Sequence, residues 1–488
     1  MERNVQVKLR SKVAVIGGGL GGLAAAALLA RNGLHVTLFE KGPRVGGKMN
    51  VFQANGFTWD TGPSLVTMPH VLRGLWVHLG RDFDAELPLV RLEPSCRYFW
   101  PDGHRIDEGE SFWNSAEMAP LMRHAAGIYE LSADVFLHHR LEDWWRQLRW
   151  ENLPKLRHLP KIADRRTLAQ LAASFLRDPR LQQYLGRFAT YNGSSPYRTP
   201  AAFAIIPYVQ RAFGSWYVPG GLYRIAERLG QIGREEGVAV RLSTEVTRLE
   251  PRAGKFGLSA GPEVLGEYDV TVCNEDVLSA DEHLLPPAWR AGYAHQRRDL
   301  STSGFVLLLG LRGRRPELLH HNVFFSADYR SEFRQIFDQQ APPFPPTIYV
   351  ANDSRTDPGR APAGHENWFV LANVPAFRGP DGQRWHRGSA DYGRLLLRHL
   401  ATFGFTGLEE QMVECHTLSP LTFAERYNAF GGSLYGFASH GLLSAFRRPP
   451  LQRRGLRNLW FVGGTTHPGG GIPLALLSGQ MVAEQILR

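Results

Sequence analysis

The chain has 488 residues, well past the size at which a single hydrophobic core stops growing, so more than one lobe is expected and no disulfide or metal staple is needed. Its formal charge of +10 favours anionic surfaces or ligands, but arginine supplies most of it and no recognition motif accompanies it, so no nucleic-acid partner is expected. Cys96, Cys273 and Cys415 are widely spaced with no CxxC pair, which argues against a zinc site or a redox dithiol and for reduced thiols in a cytoplasmic protein.

The first twelve residues carry Arg3, Lys8, Arg10 and Lys12 with no apolar run behind them, unlike a signal peptide. An apolar strand over residues 13–16 runs into glycines, an alanine-rich helix over 23–30 follows, Gly33 ends it, and a second strand covers 36–40: a βαβ unit. Gly17, Gly19 and Gly22 fit G-x-G-x-x-G between that strand and helix. Gly17 permits the tight turn, Gly19 removes a side chain from the path of a pyrophosphate, and Gly22 lets helix pack on strand. The helix start then faces negative charge. Glu40, at the end of the second strand, suits ribose hydroxyls and would repel an NADP phosphate.

Arg44-Val45-Gly46-Gly47-Lys48 brings backbone amides and a cation to a second phosphate-sized position. In series with the first motif it resembles the loop of two-dinucleotide-domain flavoproteins and points to FAD rather than NAD. Residues 56–64, GFTWDTGPS, follow as either an ordinary strand and turn or part of the cofactor site. The middle, about 66–210, is rich in helical patterns and aromatics, and strand-like patterning returns at 238–249 and 268–273. Within the middle, residues 144–161 mix Trp and Leu with Arg and Lys, which is either a membrane-interface anchor or a solvated basic helix ending at Pro154. No window reaches the roughly 20 apolar residues that span a bilayer.

No Ser-His-Asp arrangement, HExxH or zinc spacing stands out, and His320, His321 and Asp353 are expected to be isolated structural or surface residues. At the C-terminal end a buried strand over 459–464 leads through Gly463, Gly464 and the 469–471 glycines into a helix over 474–487, whose free amides suit the electron-rich edge of a reduced flavin. His467 in that loop is either loop-shaping, flavin-contacting or a base. Strand, glycine loop and helix at both ends imply one nucleotide-binding domain assembled from separated segments. The expected divisions are 1–65, 211–280 and 426–488 for a discontinuous Rossmann-type FAD-binding domain of α/β class. An inserted α+β substrate and membrane-facing lobe takes 66–210 and 281–425.

Together these segments resemble the bacterial-type phytoene desaturase family, FAD-dependent carotenoid desaturases, over nearly the whole chain. The motifs are the glycine run, GFTWDTGPSL at 56–65, WYVPGG at 216–221, CNEDV at 273–277, HHNVFFSADYRSEFRQIF at 320–337, LTFAERYNAFGGSLYG at 421–436 and THPGGGIP at 466–473. The GGGIPLALLSG wording at 469–479 is similar to acyclic carotenoid 3,4-desaturases. The resemblance implies a glutathione reductase/amine oxidase-like fold, a hydrophobic polyene substrate, attachment to the inner face of a membrane, and quinone or oxygen as electron acceptor. It implies FAD contacts at Gly17, Gly19, Leu20, Gly22, Glu40, Lys41, Gly46, Gly47, Lys48, Asp60, Thr61, Gly62, Pro63, Val246, Gly463, Gly464, His467, Gly471 and Ile472. It also aligns a proposed family acid or base with Asp178, which would serve equally as a helix cap before Pro179; the family's nearby arginine is Gln182 here. Multi-step phytoene desaturation, an amine or protoporphyrinogen oxidase-like activity, and a non-catalytic lipid-binding protein of the same fold stay open as alternatives.

Overall fold

A computed structural model describes residues 11–137, 164–296, 298–379, 382, 384–444, 447–453 and 455–488. The basic, tryptophan-rich stretch at 144–161 lies outside the described residues. Five parallel strands form the first sheet, in the order Leu459–Phe461, Val270–Cys273, Lys12–Ile16, His35–Phe39, Ala239–Arg241. Its central strand therefore pairs with the strand that follows it closely, His35–Phe39, and with one from the middle of the chain, Val270–Cys273, which carries the C-terminal strand Leu459–Phe461 on its other side. The apolar run at 13–16 is buried on both faces, as a strand covered by helices must be.

The helix Leu20–Arg31 lies between Ile472–Leu487 and Tyr223–Glu235. Small residues set its depth: Ala24 to Ala27 are all essentially inaccessible, and a Cβ on Gly479 would meet the Gly21 carbonyl oxygen at 2.3 Å. Two helices carrying larger side chains at this crossing could not approach so closely.

The second sheet has seven strands, in the order Met412–Leu418, Ser303–Arg312, His365–Val374, Ile348–Ala351, His321–Phe324, Cys96–Phe99, Arg105–Glu108. All neighbours are antiparallel except His321–Phe324 with Cys96–Phe99. The 66–210 stretch is thus not purely helical: two of its strands complete the sheet of the later lobe, and the helices Met118–Leu137, Leu168–Phe175, Pro179–Arg187 and Ile205–Phe213 pack beside them. The strand expected over 238–249 is interrupted, because Ser243 adopts φ 50° and turns the chain so that its amide bonds the Gly42 carbonyl at 2.9 Å. Among the described residues no helix is long and apolar enough to cross a membrane.

Candidate active site

The glycine turn is built around a carboxylate and an amide. Gly17, at φ 94°, donates its N–H to the Phe39 carbonyl at 2.8 Å and so ties the turn to the neighbouring strand. Glu40 accepts the Gly18 N–H on Oε2 and the Gly42 N–H on Oε1, both at 2.7 Å, which leaves lone pairs on each oxygen for further donors. A Cβ on Gly22 would sit 2.3 Å from the Gly17 carbonyl oxygen, so residue 22 has to be glycine for the turn to close. Gly22 lies behind the turn, outside the cavity wall; Gly17, Gly19, Leu20, Glu40 and Lys41 are in it.

Asn274 was not singled out from sequence, yet its side chain holds the two glycine loops apart. It follows the strand Val270–Cys273, donates its backbone N–H to the Ile16 carbonyl at 2.7 Å, and lies where a Cβ on Gly19 would meet Nδ2 at 2.6 Å and one on Gly463 would meet Oδ1 at 2.7 Å. The recoverable signal is positional: a polar residue directly after a strand that is the parallel neighbour of the glycine strand.

Gly46 and Gly47 lie against this turn, the Gly46 amide bonding the Gly18 carbonyl at 2.8 Å. Lys48, expected as a phosphate-facing cation, lines the cavity but spends its donors on backbone carbonyls. Its Nζ donates to the Leu434 carbonyl at 2.8 Å and toward Ser433 at 3.4 Å, burial pushes its pKa down, and the Asp276 carboxylate opposes that push. Lys41 reaches outward to the Asn428 side chain at 2.5 Å and to Glu245 at 3.4 Å, and Asn428 donates to Glu275 at 3.1 Å, which burial pushes up to about 7. Thr61, Gly62, Pro63 and Val246 complete this side of the wall.

Asp60 faces away from the cavity. Its carboxylate accepts the Leu222 and Tyr223 amides at 2.8 and 3.2 Å and pairs with buried Arg360 at 3.3 Å; Arg360 lies 3.7 Å from Asp353, which is 3.4 Å from His320. His320 and Asp353 are therefore structural, as one of the two readings had it, but neither isolated nor at the surface: they belong to one buried polar cluster that ties the WYVPGG turn to the later lobe. His321, next in sequence, lines the cavity.

From the C-terminal side, Gly463, Gly464, Gly471 and Ile472 line the same cavity. The Gly463 amide donates to Ser478 Oγ at 2.8 Å. His467 is buried outside the wall, its amide bonding the Pro449 carbonyl at 3.0 Å. Asp178 also lies outside it: the carboxylate caps the helix Pro179–Arg187 by accepting the Arg180 N–H at 2.8 Å.

Two helix starts, at Leu20 and Ile472, open onto this one cavity, and neither carries a side-chain cap. Their first-turn amides are available to anionic or electron-rich groups. Space exists between them: a Cβ on Gly471 would meet no atom within 4 Å, and one on Gly464 only Gly470 Cα at 3.5 Å. The cavity, about 640 Å³, then continues without a wall into the second lobe, where Tyr98, Tyr191, Ile205, Val209, Tyr349 and Phe369 line it. A pyrophosphate and ribose fit the first half, a flat ring system the glycine gap, and a long apolar molecule the second half.

Residues 20–487 match the family of flavin-containing amine oxidoreductases. The chain belongs to that family. FAD is accordingly the cofactor of this flavoprotein, and the glycine cradle, Glu40 and the two uncapped helix starts fit it. It is 34% identical to a 4,4'-diapolycopene oxygenase from Methylomonas sp, over 98% of this chain and 98% of the relative. It is 31% identical to a 1-hydroxycarotenoid 3,4-desaturase from Flavobacterium sp. (strain P99-3), over 97% of this chain and 99% of the relative. The resemblance to carotenoid desaturases seen in the sequence motifs is thus matched by a relative bearing that name. Among solved structures, putrescine oxidase bound to putrescine superposes with a TM-score of 0.66 at 16% identity, covering 98% of this chain and 99% of that one. Cyclohexylamine oxidase from Brevibacterium oxydans IH-35A gives 0.62 at 17% identity. These two establish the flavoprotein fold.

Proposed function

We propose that this flavoprotein is a carotenoid desaturase, removing a hydride and a proton from a CH2–CH2 unit beside a polyene, in a late 3,4-desaturation. The observation that carries the reading is the continuity of the glycine cradle with the aromatic and aliphatic half of the cavity. When bound, FAD supplies the two-electron acceptor. Toward it, Glu40 would offer lone pairs to ribose hydroxyls, the amides at residues 19–21 would serve the pyrophosphate, and Gly46, Gly47, Thr61, Gly62, Pro63, Val246, Gly463, Gly464, Gly471 and Ile472 form the wall. The aromatic half orients the polyene and excludes water, and the conjugated chain itself delocalises positive charge as the hydride leaves, so little acid–base help is required. The basic and aromatic composition at 144–161 suits delivery from the inner face of a membrane, with quinone or oxygen as final acceptor.

The test is expression in cells that accumulate phytoene, lycopene or a 1-hydroxylated carotene. The expected product is a pigment absorbing at longer wavelength and lighter by one H2, formed from a late intermediate. Oxygenase-named relatives at similar identity support a second reading, in which the product gains oxygen. Flavin-loaded protein that alters no pigment overturns both.

A further inference from the structure

The apolar half of the cavity contains a cation that a hydrocarbon does not explain. Arg187, the last residue of the helix Pro179–Arg187, lines it, with its guanidinium carbon 5.3 Å from the ring centre of Tyr191, 5.6 Å from Tyr98 and 5.9 Å from both Tyr349 and Phe188. Among the described residues it forms no ion pair, and its hydrogen bond is a long one, Nη1 to Tyr191 Oη at 3.4 Å. The nearest acid in this network stands three hydrogen bonds away: Tyr191 donates to Gln210 Oε1 at 3.1 Å, and Gln210 Nε2 donates to Glu108 at 2.6 Å; the Arg187 charge reaches Glu108 only through space, opposing the burial that raises its pKa. Glu108 is already occupied by Ser95 at 2.6 Å and Tyr184 at 2.5 Å.

The neighbouring polar groups are committed elsewhere. Tyr349 Oη is bonded to Ser64 at 2.5 Å and to His321 Nδ1 at 2.7 Å. A guanidinium carries five N–H donors and does not deprotonate in proteins. The surrounding rings stabilise its charge but, among the described residues, leave most of its donors without an acceptor. A pure hydrocarbon in this half would strip water from those donors and return nothing, whereas an oxygen-bearing chain would satisfy them.

We propose that Arg187 is a specificity-determining residue that donates hydrogen bonds to an oxygen atom, hydroxyl or carbonyl, carried by the polyene. This rests on the polyene reading above and narrows it to an already oxygenated substrate. A site arranged to hydrogen-bond a substrate oxygen rejects the analogue lacking it far more strongly than an apolar pocket rejects an extra group.

The experiment compares an acyclic carotene with the same carotene bearing a terminal hydroxyl, on FAD-loaded full chain. Turnover and binding, the latter by quenching of tryptophan fluorescence, are read for wild type, Arg187→Met and Arg187→Lys. Wild type is expected to favour the hydroxylated compound by roughly 10- to 100-fold. Arg187→Met should collapse that ratio by losing activity on the hydroxylated compound alone, Arg187→Lys should keep part of it, and the flavin spectrum should not move. Equal use of both compounds by wild type overturns the proposal, and so does a ratio that survives in the methionine variant or a shifted flavin spectrum with the ratio intact. Should the methionine variant not fold, the wild-type ratio and the lysine variant decide. Hydroxyl-selective binding without turnover upholds Arg187 and overturns the desaturase reading; turnover without selectivity does the reverse; binding of neither compound overturns both.

Discussion

Glu332, on the helix Tyr329–Phe337, is buried at the cavity edge and forms no ion pair among the described residues; its Oε2 accepts the Ser326 and Thr347 hydroxyls, each at 2.8 Å. Burial pushes its pKa up to about 7 from the ordinary 4.5, with the two hydroxyl bonds only partly opposing. Because the folded protein holds this proton more tightly than the unfolded chain, stability falls as pH rises between those values, by about 1.4 kcal/mol per pH unit or about 3 kcal/mol across the window. Glu332→Gln retains an oxygen that accepts both hydroxyls and has no proton to lose. Denaturant unfolding of both FAD-loaded proteins at several pH values between 4.5 and 8 should show the variant's profile flatter by about one proton, with the variant the more stable protein at pH 8. Other buried acids titrate equally in both proteins and cancel in the difference. Superimposable profiles would refute the argument that this carboxyl is held neutral.

Further outcomes follow from the same geometry. Gly22→Ala places a methyl against the Gly17 carbonyl oxygen, so it should purify with far less bound flavin than wild type, as read from the ratio of visible to ultraviolet absorbance; full occupancy would contradict the tight-turn role. Arg360→Met leaves Asp60 and Asp353 buried without their shared cation and should cost about 3–5 kcal/mol in denaturant unfolding, with a loss below 1 kcal/mol speaking against the cluster's structural part. Asp178→Asn keeps a good helix cap and should retain full turnover with bound flavin; a large fall in kcat with unchanged flavin content would return Asp178 to the chemistry. Gly464→Leu projects a side chain into the gap beside Gly470 and should reduce flavin uptake while the thermal unfolding of the flavin-free protein stays close to wild type.

The nucleotide-binding half was legible because its constraints are local. A turn that must pass under a phosphate needs glycine at fixed offsets, and a buried parallel strand needs an apolar run, so 12–40 and 459–487 could be read directly. What escaped the sequence depends on pairings between distant segments. Asp60 sits in the middle of a motif that reads as cofactor-binding, but its partners are Arg360 and the Leu222 and Tyr223 amides, more than 150 residues away. Asn274 becomes important only because its strand lies next to the glycine strand, an adjacency no local pattern encodes. Cys96–Phe99 and Arg105–Glu108 are short strands among helices, and the partner that makes one of them a sheet neighbour is His321–Phe324. Arg187 lies in none of the quoted motifs, and the 320–337 motif gives no reason to pick Glu332 from its other polar residues; only the cavity distinguishes the two from the many surface arginines and glutamates.

The order of strands in the parallel sheet also sets a schedule. During synthesis the strand Lys12–Ile16 is made first, but its neighbour Val270–Cys273 arrives some 250 residues later and the outer strand Leu459–Phe461 later still. At roughly 5–20 residues per second, the glycine turn waits many seconds before the Ile472–Leu487 helix can close the other side of the cradle. Flavin uptake is therefore a late event in the life of this chain. In the interval the part of the alanine-rich helix Leu20–Arg31 that packs on Ile472–Leu487 stays exposed to water, even after Tyr223–Glu235 has been made.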